Sequence, residues 1–138
     1  MTDRYNIAVI GSGPGGYVAA LRCAKRGAST VLIENDSLGG VCLNYGCIPS
    51  KNLITASSKF IDLKNSSEWG CFSANPSFDW GKIITRKNKV VKRLVKGIDY
   101  LIRKNGIDFI KGHARLQSSG TIGIESENGH REIEAEKI

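Results

Sequence analysis

The stretch YNIAVIGSGPGGYVAALRCAKRGASTVLIE, residues 5–34, decides the fold. Its opening run, Tyr5–Ile10, is short, largely apolar and stops at glycine, the pattern of a buried parallel strand rather than an alternating surface strand. From about Gly15 to Arg26 the apolar spacing is helical, and Gly27 is a natural C-terminal cap. A second apolar run, Thr30–Ile33, closes on Glu34. Strand, helix and strand in so short a span make a β-α-β unit, whose crossover is right-handed.

Within that unit, GSGPGG (residues 11–16) matches G-x-G-x-x-G through Gly11, Gly13 and Gly16. The first glycine turns the chain sharply, the second lets a pyrophosphate approach the backbone, and the third lets helix and sheet pack closely. The N–H groups at the helix start then face the phosphates, with the helix dipole behind them. Glu34, at the end of the second strand, can accept hydrogen bonds from ribose hydroxyls and disfavours a 2′-phosphate, which needs a cation. The flanking strand, helix, strand and acid raise a short glycine motif to a dinucleotide-binding unit of the Rossmann-like α/β class. The fingerprint does not choose between NAD and FAD.

Further along, residues 42–63 read as helical but disturbed by Gly46 and Pro49, and residues 64–77 as a polar loop. From Trp80 to Lys104 an apolar stripe of 3.6-residue period runs opposite nine Lys or Arg, a long amphipathic helix ending at Asn105-Gly106. Ile107–Ile110 is a short strand candidate. Residues 121–125 and 131–135 alternate around Asn128-Gly129, a strong hairpin turn signal, so an antiparallel β-meander is expected at the C-terminal end. A meander normally leads into another strand, and the chain is expected to be truncated there.

The 138 residues suit one ordinary domain, and 41% hydrophobic content is enough for a core. No apolar run approaches the roughly 20 residues needed to cross a bilayer, and the start reads directly into a strand without a signal-peptide pattern. A cytoplasmic location is expected, or the mitochondrial matrix in a eukaryote. The net charge of +7 raises nucleic acid as a partner. The cations of residues 82–104 are not interleaved with stacking aromatics, however, so a solvated helix face is the reading and no nucleic-acid or membrane partner is expected.

Cysteine usage then narrows the chemistry. Cys42 and Cys47 enclose four residues in GGVCLNYGCIPSK (residues 39–51), and no second ligand pair stands at zinc spacing; His113 and His130 are distant and unpaired. No metal is expected. A staple closing so small a loop removes little chain entropy, and a reducing compartment disfavours it. A catalytic dithiol remains, which needs one thiolate stabilised beside an electron acceptor and a second open to an external disulfide. Flavin provides such an acceptor. Cys23 and Cys71 are read as small buried or semi-buried side chains.

The fingerprint, Glu34 and above all GGVCLNYGCIPSK resemble the class I flavoprotein disulfide reductases, the pyridine nucleotide-disulfide oxidoreductases. The CIPSK ending, and GGYVAALRCAKRG at residues 15–27, are most similar to the dihydrolipoamide dehydrogenase branch; mercuric and glutathione reductases share C-x-N-x-G-C but more often carry valine before the proline. The resemblance covers essentially the whole chain. It implies FAD as cofactor, NAD+ as co-substrate, and oxidation of dihydrolipoamide through a Cys42–Cys47 redox disulfide. Cys47 is then the flavin-proximal, charge-transfer thiol and Cys42 the interchange thiol. Gly11, Ser12, Gly13, Pro14 and Gly16 hold the pyrophosphate, and Glu34 the adenosine ribose. Gly39, Gly40, Val41 and Cys42 lie along the cofactor, Lys51 approaches the isoalloxazine edge, and the Ala114 backbone meets the adenine.

The resemblance also implies the architecture around these residues. Residues 1–138 are expected to be the N-terminal part of the FAD-binding domain, without the NAD-binding and dimerisation domains that complete a homodimeric enzyme. Partners implied are the lipoyl domains of 2-oxoacid dehydrogenase or glycine-cleavage complexes. A nucleotide-binding fragment inactive by itself, or a reductase of mercuric or glutathione type, are the alternatives.

Overall fold

In the computed structural model, which describes residues 3–127 and 129–138, the stretch that decides the fold becomes β1 (Asp3–Ile10), α1 (Pro14–Lys25) and β2 (Thr30–Glu34). The two strands pair in parallel, Ile7 opposite Thr30 through Ile10 opposite Ile33. The first helix ends as its glycine requires. Gly27 takes φ +86°, and the N–H groups of Gly27 and Ala28 donate to the carbonyls of Ala24 and Cys23 at 2.9 and 3.2 Å, satisfying acceptors that the last turn leaves open.

Then follow α2 (Gly40–Asn44), α3 (Cys47–Lys64), a single 3₁₀ turn (Ser66–Trp69) and α4 (Trp80–Lys104). The disturbed helix is thus two helices. The break falls at Tyr45-Gly46, while Pro49, third residue of α3, lies in a first turn that has no use for its missing N–H and does not kink it. The long helix starts where Asp79 accepts from the Lys82 N–H at 3.0 Å, a side-chain cap.

Four strands complete the chain: β3 (Asp108–Lys111), β4 (His113–Ser118), β5 (Thr121–Ser126) and β6 (Gly129–Lys137). The hairpin between the last two forms with Ser126 opposite Gly129, although Asn128 of its expected turn lies outside the described residues. Sequence patterning assigns no strand to residues 113–118. The reason is that β4 buries almost nothing; only Ala114 is half-buried, so no apolar period marks it.

The sheet order is β3-β2-β1-β6-β5-β4, with β3, β2, β1 and β6 parallel and the last three a meander. Two cores lie against it. Val31 and Ile33 of β2 join Tyr5, Ala8, Ile122, Ile124, Ile133 and Ala135, an all-strand cluster. Leu32 between them joins Ala20, Leu43, Ile98, Ile102 and Ile107, the cluster under α1, α2 and α4. Alternation along one fully buried strand therefore sends neighbouring side chains to two layers, which is why β2 reads as continuously apolar.

Candidate functional site

The loop between β1 and α1 is shaped by glycine for three reasons. Gly11 takes φ +93°, a conformation that side chains disfavour, and its N–H donates to the Ile33 carbonyl at 2.8 Å, tying the turn to β2. A Cβ on Gly16 would stand 1.8 Å from the Gly11 carbonyl oxygen, so helix and loop touch where only hydrogen fits. At Gly11 and Gly13 the opposite holds: nothing lies within 4 Å of where a Cβ would be. Gly13 is the N-cap of α1, provides no side-chain cap, and is followed by Pro14 at the first helical position. Open space over an uncapped helix start is the cradle that a dinucleotide pyrophosphate needs, so these residues fit one.

Ser12, fully buried, links the rest of the site. Its N–H and its hydroxyl both donate to Glu34 Oε2, at 2.8 and 2.7 Å, and the hydroxyl oxygen accepts the Gly39 N–H at 3.0 Å. The other carboxylate oxygen of Glu34 accepts from the Asp36 N–H at 3.0 Å. Burial acts to raise the Glu34 pKa, but the Asp36 N–H, the Ser12 hydroxyl and N–H, and the Asn35 N–H outweigh it and hold the carboxyl below its ordinary value. Glu34 is therefore an ionised, oriented acceptor at the end of β2.

The cysteine segment is laid directly on this loop. Gly40 (φ +63°) comes so near that its Cβ would be 2.8 Å from Gly13 Cα, and Gly39 (φ +96°) begins α2. Asn44 closes the short helix, its side-chain amide donating to the carbonyls of Gly40 and Leu38 at 2.9 and 3.1 Å. The Gly46 N–H donates to the Val41 carbonyl at 2.7 Å, and the chain re-enters a helix at Cys47. Cys42 and Cys47 are joined as a disulfide across the break, with Cα atoms 4.7 Å apart. Cys42 is half-buried; Cys47, at the start of an 18-residue helix, is exposed.

Gly11, Ser12, Gly13, Pro14, Gly16, Glu34, Gly39 and Gly40 thus form one contiguous site reaching Cys42. Val41 points outward, 71% exposed. Lys51, one turn beyond Cys47 and exposed, lines a groove of about 420 Å³ between α3 and α4, where Phe60 and Phe78 meet edge to face at 5.3 Å. Ala114 is brought close by a residue that sequence reading passes over. The Gly112 N–H donates to the Glu34 carbonyl at 2.8 Å, and a Cβ there would meet Ile124 Cγ2 at 2.7 Å. A cavity of about 500 Å³ opens at this junction, lined by Asn35, Gly112, His113 and Glu125 among others. Gly112 after the short strand run Ile107–Ile110 is the only signal for it.

Outside the site, Cys23 is half-buried as expected, but Cys71 is exposed, because its aromatic neighbours Trp69 and Phe72 are themselves 86% and 88% exposed and cover nothing. Both His113 and His130 are exposed on strands. Among the described residues no group of three or more His, Cys, Asp or Glu assembles as metal ligands, and no helix is long and apolar enough to cross a membrane.

Known proteins resemble this chain in sequence and in fold. The dihydrolipoyl dehydrogenase of Acholeplasma laidlawii is 40% identical over 129 residues, 93% of this chain and 38% of that protein. That of Bacillus subtilis is 40% identical over 134 residues, 96% of this chain and 29% of that protein. The chain therefore spans well under half the length of these relatives. Among solved structures, the Cu(II) complex of the HOCl-induced flavoprotein disulfide reductase RclA from Escherichia coli superposes with a TM-score of 0.80 at 28% identity, over 97% of this chain and 27% of that one. The model of the pyridine nucleotide-disulphide oxidoreductases matches residues 5–138, and this chain belongs to that family.

Proposed function

We propose that this chain binds FAD and carries the redox disulfide for the oxidation of dihydrolipoamide, with NAD+ as final acceptor. The observation that carries the reading is the contact of the Cys42–Cys47 segment with the dinucleotide loop, through Gly39 on Ser12 and Gly40 on Gly13. That contact supports a redox disulfide next to a flavin dinucleotide seated on the loop.

In the exchange, a thiolate of dihydrolipoamide attacks Cys42 Sγ, the Cys42–Cys47 bond breaks, and Cys47 leaves as a thiolate. Its place at the start of α3 suits that charge, since the free N–H groups and dipole of the first turn favour an anion. The second substrate thiol then attacks the substrate sulfur held on Cys42, closing the lipoamide ring and releasing Cys42; the substrate has lost two electrons and two protons, and the protein holds a dithiol. FAD, when bound, supplies the acceptor for that electron pair and the hydride donor for NAD+. Gly11, Gly13, Pro14 and Gly16 hold the pyrophosphate, Glu34 the ribose, Ala114 the adenine side and Lys51 the flavin edge. The substrate is carried on lipoyl domains of a 2-oxoacid dehydrogenase or glycine-cleavage complex, and the working enzyme is a homodimer.

Anaerobic titration of the FAD-loaded protein distinguishes substrates. Dihydrolipoamide bleaches the bound flavin, reduced glutathione does not, and Cys47→Ser abolishes the bleaching. Equal bleaching by glutathione overturns the lipoamide assignment. A protein that remains colourless after exposure to FAD overturns the flavin reading itself.

A further inference from the structure

The Ser12 side chain has a place in the site that phosphate binding does not explain. Its one hydroxyl proton goes to Glu34 Oε2, at 2.7 Å, and a lone pair of the same oxygen takes the N–H of Gly39, at 3.0 Å. Ser12 is fully buried and Glu34 nearly so, 0% and 7% exposed. Gly39 is the N-cap of α2, whose third residue is Cys42. At one end α2 is tethered to the dinucleotide loop, by this hydrogen bond and by the close approach of Gly40 to Gly13. Beyond its other end the disulfide ties it to α3.

We propose that Ser12 is a positioning residue that couples the nucleotide acid to the redox pair, so that occupancy at Glu34 and the oxidation state of Cys42–Cys47 bias one another. The proposal rests on the nucleotide reading given above. A ribose hydroxyl donating to Glu34 draws on the carboxylate charge that holds the Ser12 hydroxyl, and Ser12 in turn sets the N-terminus of α2. In the other direction, reduction removes the covalent tether between α2 and α3, so the segment is held by the Ser12 bond and the glycine contact together with the Gly46 N–H on the Val41 carbonyl and Leu43 in the core. A buried hydroxyl that bridges a carboxylate and a main-chain N–H passes such changes on, because it has no water to turn to instead. Linkage then requires reciprocity: the factor by which reduction changes nucleotide affinity equals the factor by which nucleotide shifts the disulfide–dithiol equilibrium.

ADP, which carries the adenosine and diphosphate but no flavin, is the probe. It is titrated calorimetrically into the oxidised protein and into protein held in excess dithiothreitol, which closes to its cyclic disulfide as the Cys42–Cys47 bond becomes two thiols. The two affinities are expected to differ by about fivefold or more. Ser12→Ala brings that ratio to one, while Ser12→Thr, which keeps a hydroxyl, preserves it. In dithiothreitol redox buffers, saturating ADP shifts the wild-type disulfide equilibrium by the same factor. A wild-type ratio of one overturns the coupling even if Ser12→Ala does not fold, and a ratio unchanged in Ser12→Ala overturns the role of Ser12. Both results leave nucleotide binding intact. Failure of the wild-type protein to bind either ADP or FAD overturns the nucleotide reading as well.

Discussion

Glu34 keeps its charge in a nearly closed site because four hydrogen bonds from Asp36, Ser12 and Asn35 outweigh the cost of burial. Its pKa in the folded chain lies below the ordinary value of 4.5, so the unfolded chain binds the proton more readily. Ionised Glu34 accordingly stabilises the fold in full above that value, and its contribution fades as pH falls through the lower folded value. Glu34→Gln is expected to cost about 1–3 kcal/mol at neutral pH, since one carboxylate oxygen becomes an NH2 that faces donors and accepts nothing, while the other stays an acceptor. The variant should also lack the Glu34 part of the acid-side loss, and urea unfolding of both proteins between neutral and acid pH measures the difference. The acid was legible from its position after the second strand, and so was Gly16, whose missing Cβ leaves room for Gly11. Ser12 was named from the resemblance only as a pyrophosphate contact, not as a link to other segments. Its bonds to Glu34 and Gly39 span 22 and 27 residues, and nothing in local patterning encodes a partner at that range.

At the scale of elements, α4 shows how completely a periodic pattern can specify a helix and how little it says about interactions on the solvent side. Ile98 and Ile102 are buried beneath it, and on the opposite face Lys82, Arg86, Lys89, Arg93 and Lys96 form a ridge at alternating spacings of four and three. Of these, Lys82 alone has an ion-pair partner among the described residues, Asp79 at 3.8 Å, and like charges at those spacings repel. Arg93→Glu converts two repulsions, with Lys89 and Lys96, into attractions. It is expected to stabilise the protein by about 1 kcal/mol at low ionic strength. Denaturant midpoints with and without added salt test this, and the gain should shrink as salt screens the exposed charges. The segment from Gly39 to Cys47 was harder to read. Gly46 and Pro49 both announce a disturbance, yet only the hydrogen bond from the Gly46 N–H back to the Val41 carbonyl shows that the break precedes Cys47 and leaves that cysteine starting a new helix.

Across the whole molecule the site is a seam where the dinucleotide loop, the end of β2, the start of α2 and the β3–β4 junction meet. Saturation with FAD should stabilise all four together. At about 100 times its dissociation constant, FAD is expected to raise the unfolding free energy by about 2.7 kcal/mol, and FMN, without the adenosine proposed to sit on Glu34, by less. Thermal or urea unfolding with each flavin checks the ordering. What local pattern alone fixed was the β-α-β unit, the helical and hairpin segments, the glycine cradle with its acid, and the pairing of Cys42 with Cys47. Each of these depends on the period of the chain or on the stereochemistry of a few adjacent residues. Only the tertiary structure decided that β6 returns beside β1, that β4 is a strand, that Gly112 folds the meander onto the end of β2, and that Ser12 joins Glu34 to the cysteine segment. These depend on contacts between residues far apart in the chain, where the choice of partner comes from close packing and from satisfying buried polar groups.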